Sequence, residues 1–191
     1  TKCKQHGAMA NNSIKGWQMT PVVLDIEASG LGRGSYPIEV GYALADGRSH
    51  CLLIKPLDDW QMWDASAERL HGISRAQLHL RGVDVVTVAE TLNRELGGMT
   101  VYSDAWGNDQ SWLALLFDCA ERVQGFRLEA LHALLSETQL SRWADTKQTV
   151  ERELALGRHR ASSDARVLQQ TYLRTLSPTD GAAPHRRMLR L

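Results

Sequence analysis

The sequence predicts an α/β protein in which a mixed β-sheet carries helices on its faces. Three observations point there. Three strand-like apolar runs follow one another near the start, an Asp-Gly turn joins the second to the third, and beyond about residue 83 helical periodicity alternates with a further strand. The leading hairpin makes that part of the sheet antiparallel, and the alternation that follows mixes it.

Taken in order, residues 21–28 (PVVLDIEA) form the first strand. Residues 37–46 (PIEVGYALAD) and 49–56 (SHCLLIKP) form two more, joined through Asp46, Gly47 and Arg48, because Asp-Gly is a favoured hairpin pair. A connection carrying Trp60 and Trp63 leads to a short helical piece around Ser66 to Leu70 and to the loop from His71 to Ser74. A helix from about Val83 to Leu96 and a fourth strand over GGMTVYSD, 97–104, come next. From Asp109 the run DQSWLALLFDCAERV is helical, two further helical stretches follow, and the last helix begins near Ala161.

Length and composition bound what the chain does. Its 191 residues fit one domain with a real core. With 22 basic against 22 acidic residues and no basic block, the composition does not advertise a broad electrostatic attraction to long nucleic acid, so partners must be argued from a site. Cys3, Cys51 and Cys119 are odd in number and widely separated, which predicts a reduced, cytoplasmic protein. No apolar run approaches the ~20 residues of a membrane span, and no secretory segment precedes the first strand. Residues 1–19 lack periodicity and include Gly7-Ala8-Met9-Ala10, which resembles a cloning scar; they are set aside as flexible or vector-derived. The domain then runs from 20 to 176, and 177–191, rich in Pro, Gly and charge, reads as a flexible tail.

The chemistry starts in the first strand. Side chains alternate across a strand, so Val23, Asp25 and Glu27 share one face and Val22, Leu24 and Ile26 the other, with i, i+2 neighbours roughly 6.5–7 Å apart. Two carboxylates converging near the end of a buried strand repel one another and are poorly solvated, and a divalent cation relieves both costs. The alternative is a pair of solvated acids on an exposed edge strand. Asp109 lies on the apolar stripe formed by Trp112, Leu113, Leu116, Phe117 and Ala120, and Asp164 on the stripe of Ala161, Ala165, Leu168, Tyr172 and Leu176. Stabilisation by the helix dipole accounts for an acid in a first turn but not for its choice of face. Asp118, nine residues beyond Asp109, falls on the solvent side and is rejected as a ligand. Asp104 remains an alternative to Asp109, or a capping residue; Asp145 reads as a helix N-cap.

His159 and Asp164 are five residues apart and would diverge by roughly 140° on one helix, so His159 belongs to the loop before it. Gly157 gives that loop freedom, and Ser162 or Ser163 is placed to cap the helix. A loop histidine beside carboxylates is suited to take a proton from water, since imidazole titrates near neutral pH. Its alternative is an ordinary surface histidine.

Asp25-Ile26-Glu27, Asp109 in SDAWGNDQSWL, and His159-Arg160-Ala161-Ser162-Ser163-Asp164 together resemble the three motifs of the DEDDh 3′–5′ exonucleases, the family of the DNA polymerase III proofreading subunit, ribonuclease T and oligoribonuclease. His71-Gly72-Ile73 resembles that family's HGI loop, and Asp145-Thr146 its Asp-Thr between the second and third motifs. Two departures stand out: Ala28-Ser29 replaces the usual threonine pair after the first motif, and the second motif lacks its usual Asn-x-x-Phe-Asp.

The resemblance implies a ribonuclease H-like three-layer α/β fold, with a mixed central sheet of about five strands and helices on both faces. It implies that Asp25, Glu27, Asp109 and Asp164 bind two divalent cations, Mg²⁺ or Mn²⁺, a choice that oxygen ligands suit. His159 would deprotonate the attacking water, and nucleoside 5′-monophosphates would leave the 3′ ends of single-stranded DNA or RNA or of short oligonucleotides. Ser29 and Leu31 stand where the threonines would touch the terminal sugar and base, and Arg158 and Arg160 flank the base and could touch phosphate, the alternative being solvated loop arginines. Trp60, Trp63, Trp106 and Trp112 are candidates for base stacking; Trp112 also fits the core, Trp60 and Trp63 also fit a dimer interface, and a homodimer is the family's expectation. Two rival readings use the same residues: a metal-dependent endonuclease or phosphatase on this cage, and a nucleic-acid-binding module without catalysis.

Overall fold

A computed structural model describes residues 20–156 and 159–176. Five strands form one sheet: β1 (Val22–Ala28), β2 (Pro37–Ala43), β3 (Ser49–Leu53), β4 (Thr100–Ser103) and β5 (Arg127–Ala130). Their spatial order is β3-β2-β1-β4-β5. β1 pairs antiparallel with β2 and parallel with β4; β2–β3 is antiparallel and β4–β5 parallel. The mixed, five-stranded α/β sheet expected from the sequence is therefore present, with β1 at its centre. β1 and β2 are joined through an irregular loop over 29–36. The β2–β3 hairpin turns at Gly47, whose φ of 86° suits glycine, and the Leu44 and Gly47 amides donate to the Arg48 and Leu44 carbonyls.

Six helices complete the described chain: α1 (Ala65–His71), α2 (Arg75–Arg81), α3 (Val85–Leu96), α4 (Trp106–Cys119), α5 (Glu137–Leu154) and α6 (Ala161–Thr175). Local chemistry sets their starts. Asp64 and Asp84 accept the first-turn amides of α1 and α3, while Ser74 and Ser136 form capping boxes with Gln77 and Gln139. On one face of the sheet Val22, Leu24, Ile26 and Ala28 enter the main core with Leu92, Leu96, Leu113 and Leu116 of α3 and α4. On the other, Val23 and Ala43 pack with Leu131, Ala165 and Leu168 beneath α6. The strand alternation read in the sequence divides the two faces in this way, giving three layers.

Several local expectations are corrected. Residues 127–130, not assigned to an element from the sequence, form a strand, and the four residues after it a 3₁₀ turn, Leu131–Leu134. Residues 75–81 are helical, and Val83 bridges to Ile54 ahead of α3. α4 begins at Trp106, three residues before the expected start. Asp145 is not an N-cap, because α5 runs unbroken past it from Glu137, capped by Ser136. The segments 1–19 and 177–191, and with them Gly157 and Arg158, lie outside the described residues.

Candidate active site

β1 delivers two acids to the carboxyl end of the central strand, the place where open α/β sheets present ligand sites. Asp25 and Glu27 sit half-buried on the α6 face, opposite Gly41 and Glu39 of β2. β4, parallel to β1, ends beside them at Ser103, and the chain turns through exposed Asp104 into α4. Asp109 in the first turn of α4 is 0% exposed. Its Oδ2 accepts a hydrogen bond from the buried Ser103 hydroxyl, whose oxygen also accepts from the Ala105 amide at 3.1 Å. The Asp109 Oδ1 has no hydrogen-bond partner among the described residues. A buried carboxylate oxygen left in that state calls for a cation or a proton.

α6 supplies the rest. Gly41 lets the helix start lie directly on β2, because a β-carbon there would run into the Ala161–Ser162 peptide. The expected serine cap is not formed: Arg160 is the N-cap residue and no side chain of the helix itself caps it. Glu39 replaces it from the sheet. Its buried carboxylate accepts the Ala161 amide at 2.9 Å and grips the Arg160 guanidinium, with Nε 3.1 Å from both oxygens and a second nitrogen 2.5 Å from Oε1. His159 precedes this clamp with φ of 56°, on the loop as read from sequence, and Asp164 lies one turn into α6. Ligand atoms of Glu27, His159 and Asp164 all come within 4.8 Å of one another. A cleft of about 170 Å³ opens there, lined by Asp25, Asp104, Lys147, Glu151, His159 and Asp164.

Electrostatics register the convergence. Burial, then the charges of Asp109, Glu27 and Asp164, push Asp25 well above the carboxylate range. Burial, then Asp164 and Glu39, push Glu27 up to about 7, partly offset by Arg160. Asp109 is likewise pushed up to about 7, first by burial, against the Ser103 hydrogen bond. Burial raises Asp164, while His159 and Lys147 pull it down. Asp25 and Asp164 line the cleft, Glu27 lies beside His159 and Asp164, and the Asp109 charge bears on Asp25; acids that resist ionising in such a cluster could hold a hard divalent cation, a choice that oxygen donors suit.

The remaining sequence candidates separate. Ser29 is fully buried: its hydroxyl donates to the Met62 sulfur at 3.6 Å and accepts the Tyr36 amide at 3.1 Å, which ties down the loop after β1. Leu31, by contrast, is 72% exposed. Arg160 is held by Glu39 as described. Asp104 stands at the cleft mouth with Lys147 Nζ 3.5 Å away, and Asp118 is exposed. Trp60 is not available for stacking on bases, since it is buried against Tyr36 with ring centroids 4.9 Å apart; Trp112 is buried in the core. Trp63 donates to Glu68, and Trp106, 44% exposed, donates to the Leu128 carbonyl. His71 of the HGI loop is buried, its Nδ1 accepting the Ile73 amide at 3.0 Å, and burial pushes its pKa down. Sequence reasoning missed Glu39, Lys147, Glu151 and Ser103. Glu39 reads as a plain polar residue within PIEVG, and the α5 pair was hidden by the misplaced helix start at Asp145.

No protein-family model matches the sequence, and no curated protein sequence matches it. Solved structures do. A moderately thermophilic exonuclease I from Methylocaldum szegediense superposes with a TM-score of 0.64 at 15% identity, over 84% of this chain and 41% of that one. The fold is shared with exonuclease I. Escherichia coli exonuclease I in complex with a 5cy-dA13 oligonucleotide gives 0.60 at 12% identity, over 86% and 42%, and a zinc-ion-bound complex of it with single-stranded DNA gives 0.58 at 13%, over 83% and 40%. The chain thus spans about two fifths of the length of the exonuclease I structures it matches. The sheet and its helices are the ribonuclease H-like arrangement expected. Among the described residues no helix is long and apolar enough to cross a membrane.

Proposed function

We propose that the chain is a divalent-metal-dependent 3′–5′ exonuclease that removes nucleoside 5′-monophosphates from single-stranded DNA or RNA ends or from short oligonucleotides. One observation carries the reading: Asp25, Glu27, Asp109, Asp164 and His159, from three separate parts of the chain, meet at the carboxyl end of the central strand. The exonuclease I likeness supports it, because those structures hold single-stranded oligonucleotides and, in one case, a zinc ion.

Asp25, Glu27, Asp109 and Asp164 would hold the cations, with the free Asp109 Oδ1 directed by the Ser103 bond to its neighbour. Two Mg²⁺ or Mn²⁺ ions would supply charge stabilisation at the attacking and leaving oxygens of an in-line displacement. His159, on a loop in contact with the cleft, takes the proton of the attacking water. The water oxygen bonds to phosphorus, the bond to the preceding nucleotide's 3′ oxygen breaks, and that oxygen is protonated as it leaves. Leu31, projecting beyond β1, gives the terminal nucleotide an apolar contact, while buried Ser29 holds the loop that presents it. A neutral chain suffices, because the phosphate charge is met by cations and by Lys147 rather than by a basic groove.

The test is digestion of matched labelled DNA and RNA oligonucleotides with Mg²⁺ or Mn²⁺. Mononucleotides released progressively from the 3′ end, and blocked by a 3′-phosphate, are expected. Internal fragments would point instead to the endonuclease alternative, and no cleavage at all to a binding module.

A further inference from the structure

The Arg160 guanidinium reaches back to the sheet, where a fully buried acid receives it. Glu39 is 0% exposed, yet Arg160 remains partly exposed, so the pair is fixed from the Glu39 side. The first turn of an α-helix leaves amides without intrahelical partners, and a carboxylate there satisfies them and complements the helix dipole. In α6 this task falls to a strand residue 122 positions away, through the Ala161 amide. The residues on either side of the clamp are His159, in a left-handed backbone conformation that a non-glycine residue adopts only when held there, and Asp164 one turn on. Gly41, two residues along β2, leaves room for the start of α6, whose Ala161–Ser162 backbone a β-carbon there would meet.

We propose that Glu39 is a positioning residue that, through Arg160 and the Ala161 amide, sets where His159 and Asp164 stand relative to Asp25 and Glu27. This rests on the exonuclease reading of the cleft. It assigns Arg160 to the scaffold of the site instead of to phosphate, and it gives the Arg in the HRASSD motif a partner that the sequence does not reveal. Groups that orient the residues of metal sites typically change metal affinity or activity by 10–100-fold when removed.

The experiment compares Glu39→Gln, Arg160→Ala and the double variant in the full chain. Turnover is expected to fall about 10–100-fold with KM nearly unchanged, and Mn²⁺ affinity, measured without nucleic acid, to fall about tenfold. The double variant should lose no more than the worse single one, because both break one clamp. A substrate contact would instead raise KM for Arg160→Ala and add to the Glu39→Gln effect, which overturns the proposal. Glu39→Gln keeps an oxygen for the Ala161 amide; should it fail to fold, Arg160→Ala, whose side chain is partly exposed, carries the test. The His159 ring resonance, assigned with His159→Ala, is read in parallel: it should shift in both variants whether or not the protein cuts nucleic acid. An unmoved resonance refutes the clamp, whereas a shifted resonance in a protein that neither binds Mn²⁺ nor cleaves upholds the clamp and refutes the exonuclease reading.

Discussion

Asp109→Asn should stabilise the ion-free protein at pH 8 even though it removes a residue proposed for catalysis. The wild-type carboxyl is pushed from its ordinary 3.8 up to about 7 by burial. A raised acid binds more protons folded than unfolded, so its contribution is intact below about pH 4 and is lost as the pH climbs through 7. At about 1.4 kcal/mol per pH unit the full loss is about 4 kcal/mol. Asparagine carries no charge to desolvate and its oxygen can still accept from Ser103, but its buried NH₂ lacks an assured partner, at a cost of about 1–3 kcal/mol. The net expectation is a gain of about 1–3 kcal/mol, and at about 2–4 °C per kcal/mol for a domain of this size the midpoint should rise by about 2–12 °C. Thermal and urea unfolding with a chelator, from pH 5 to 8, is the assay. The advantage of the variant should shrink as the pH falls toward 5, and Mn²⁺ should raise the wild-type midpoint at pH 8 more than that of the variant. A variant no more stable than wild type at pH 8, with the same pH slope, would refute the view that Asp109 is a carboxylate held at a cost for an ion.

His159→Ala should lower turnover about 10²–10⁴-fold while leaving the Mn²⁺-dependent rise in melting midpoint in place, a split that initial rates and thermal unfolding resolve. Full activity in that variant removes the proposed general base. Gly41→Ala should destabilise the fold by about 1–3 kcal/mol and reduce activity together, because a methyl group at that position meets the α6 backbone; wild-type urea unfolding would show that the helix start is not seated on the strand as described.

Much of this was legible because the controlling pattern was local. Alternation along VVLDIEA fixes which face carries Asp25 and Glu27, and the apolar stripes of α4 and α6 carry Asp109 and Asp164 inward. What failed depended on distant partners or on weak local signal. Arg127-Leu128-Glu129-Ala130 is a four-residue strand with two charges, recruited by pairing with β4 rather than by its own composition. Ser162 and Ser163 look like caps, but Glu39 reaches the helix start first from 122 positions away. Ser29 reads as a free hydroxyl after the first motif, yet the return of the chain through Tyr36 and Met62 closes over it. Trp60 reads as a stacking surface for bases until Tyr36 is found against it.

The central claim is that the four acids jointly capture divalent ions, and Mn²⁺ binding measured by calorimetry on the protein without nucleic acid tests it most directly. Two ions per chain are expected for the wild type, with a loss of at least one for Asp164→Asn in a protein that stays folded. Wild-type protein that takes up no Mn²⁺, or an Asp164→Asn variant that takes up as much as wild type, would contradict it.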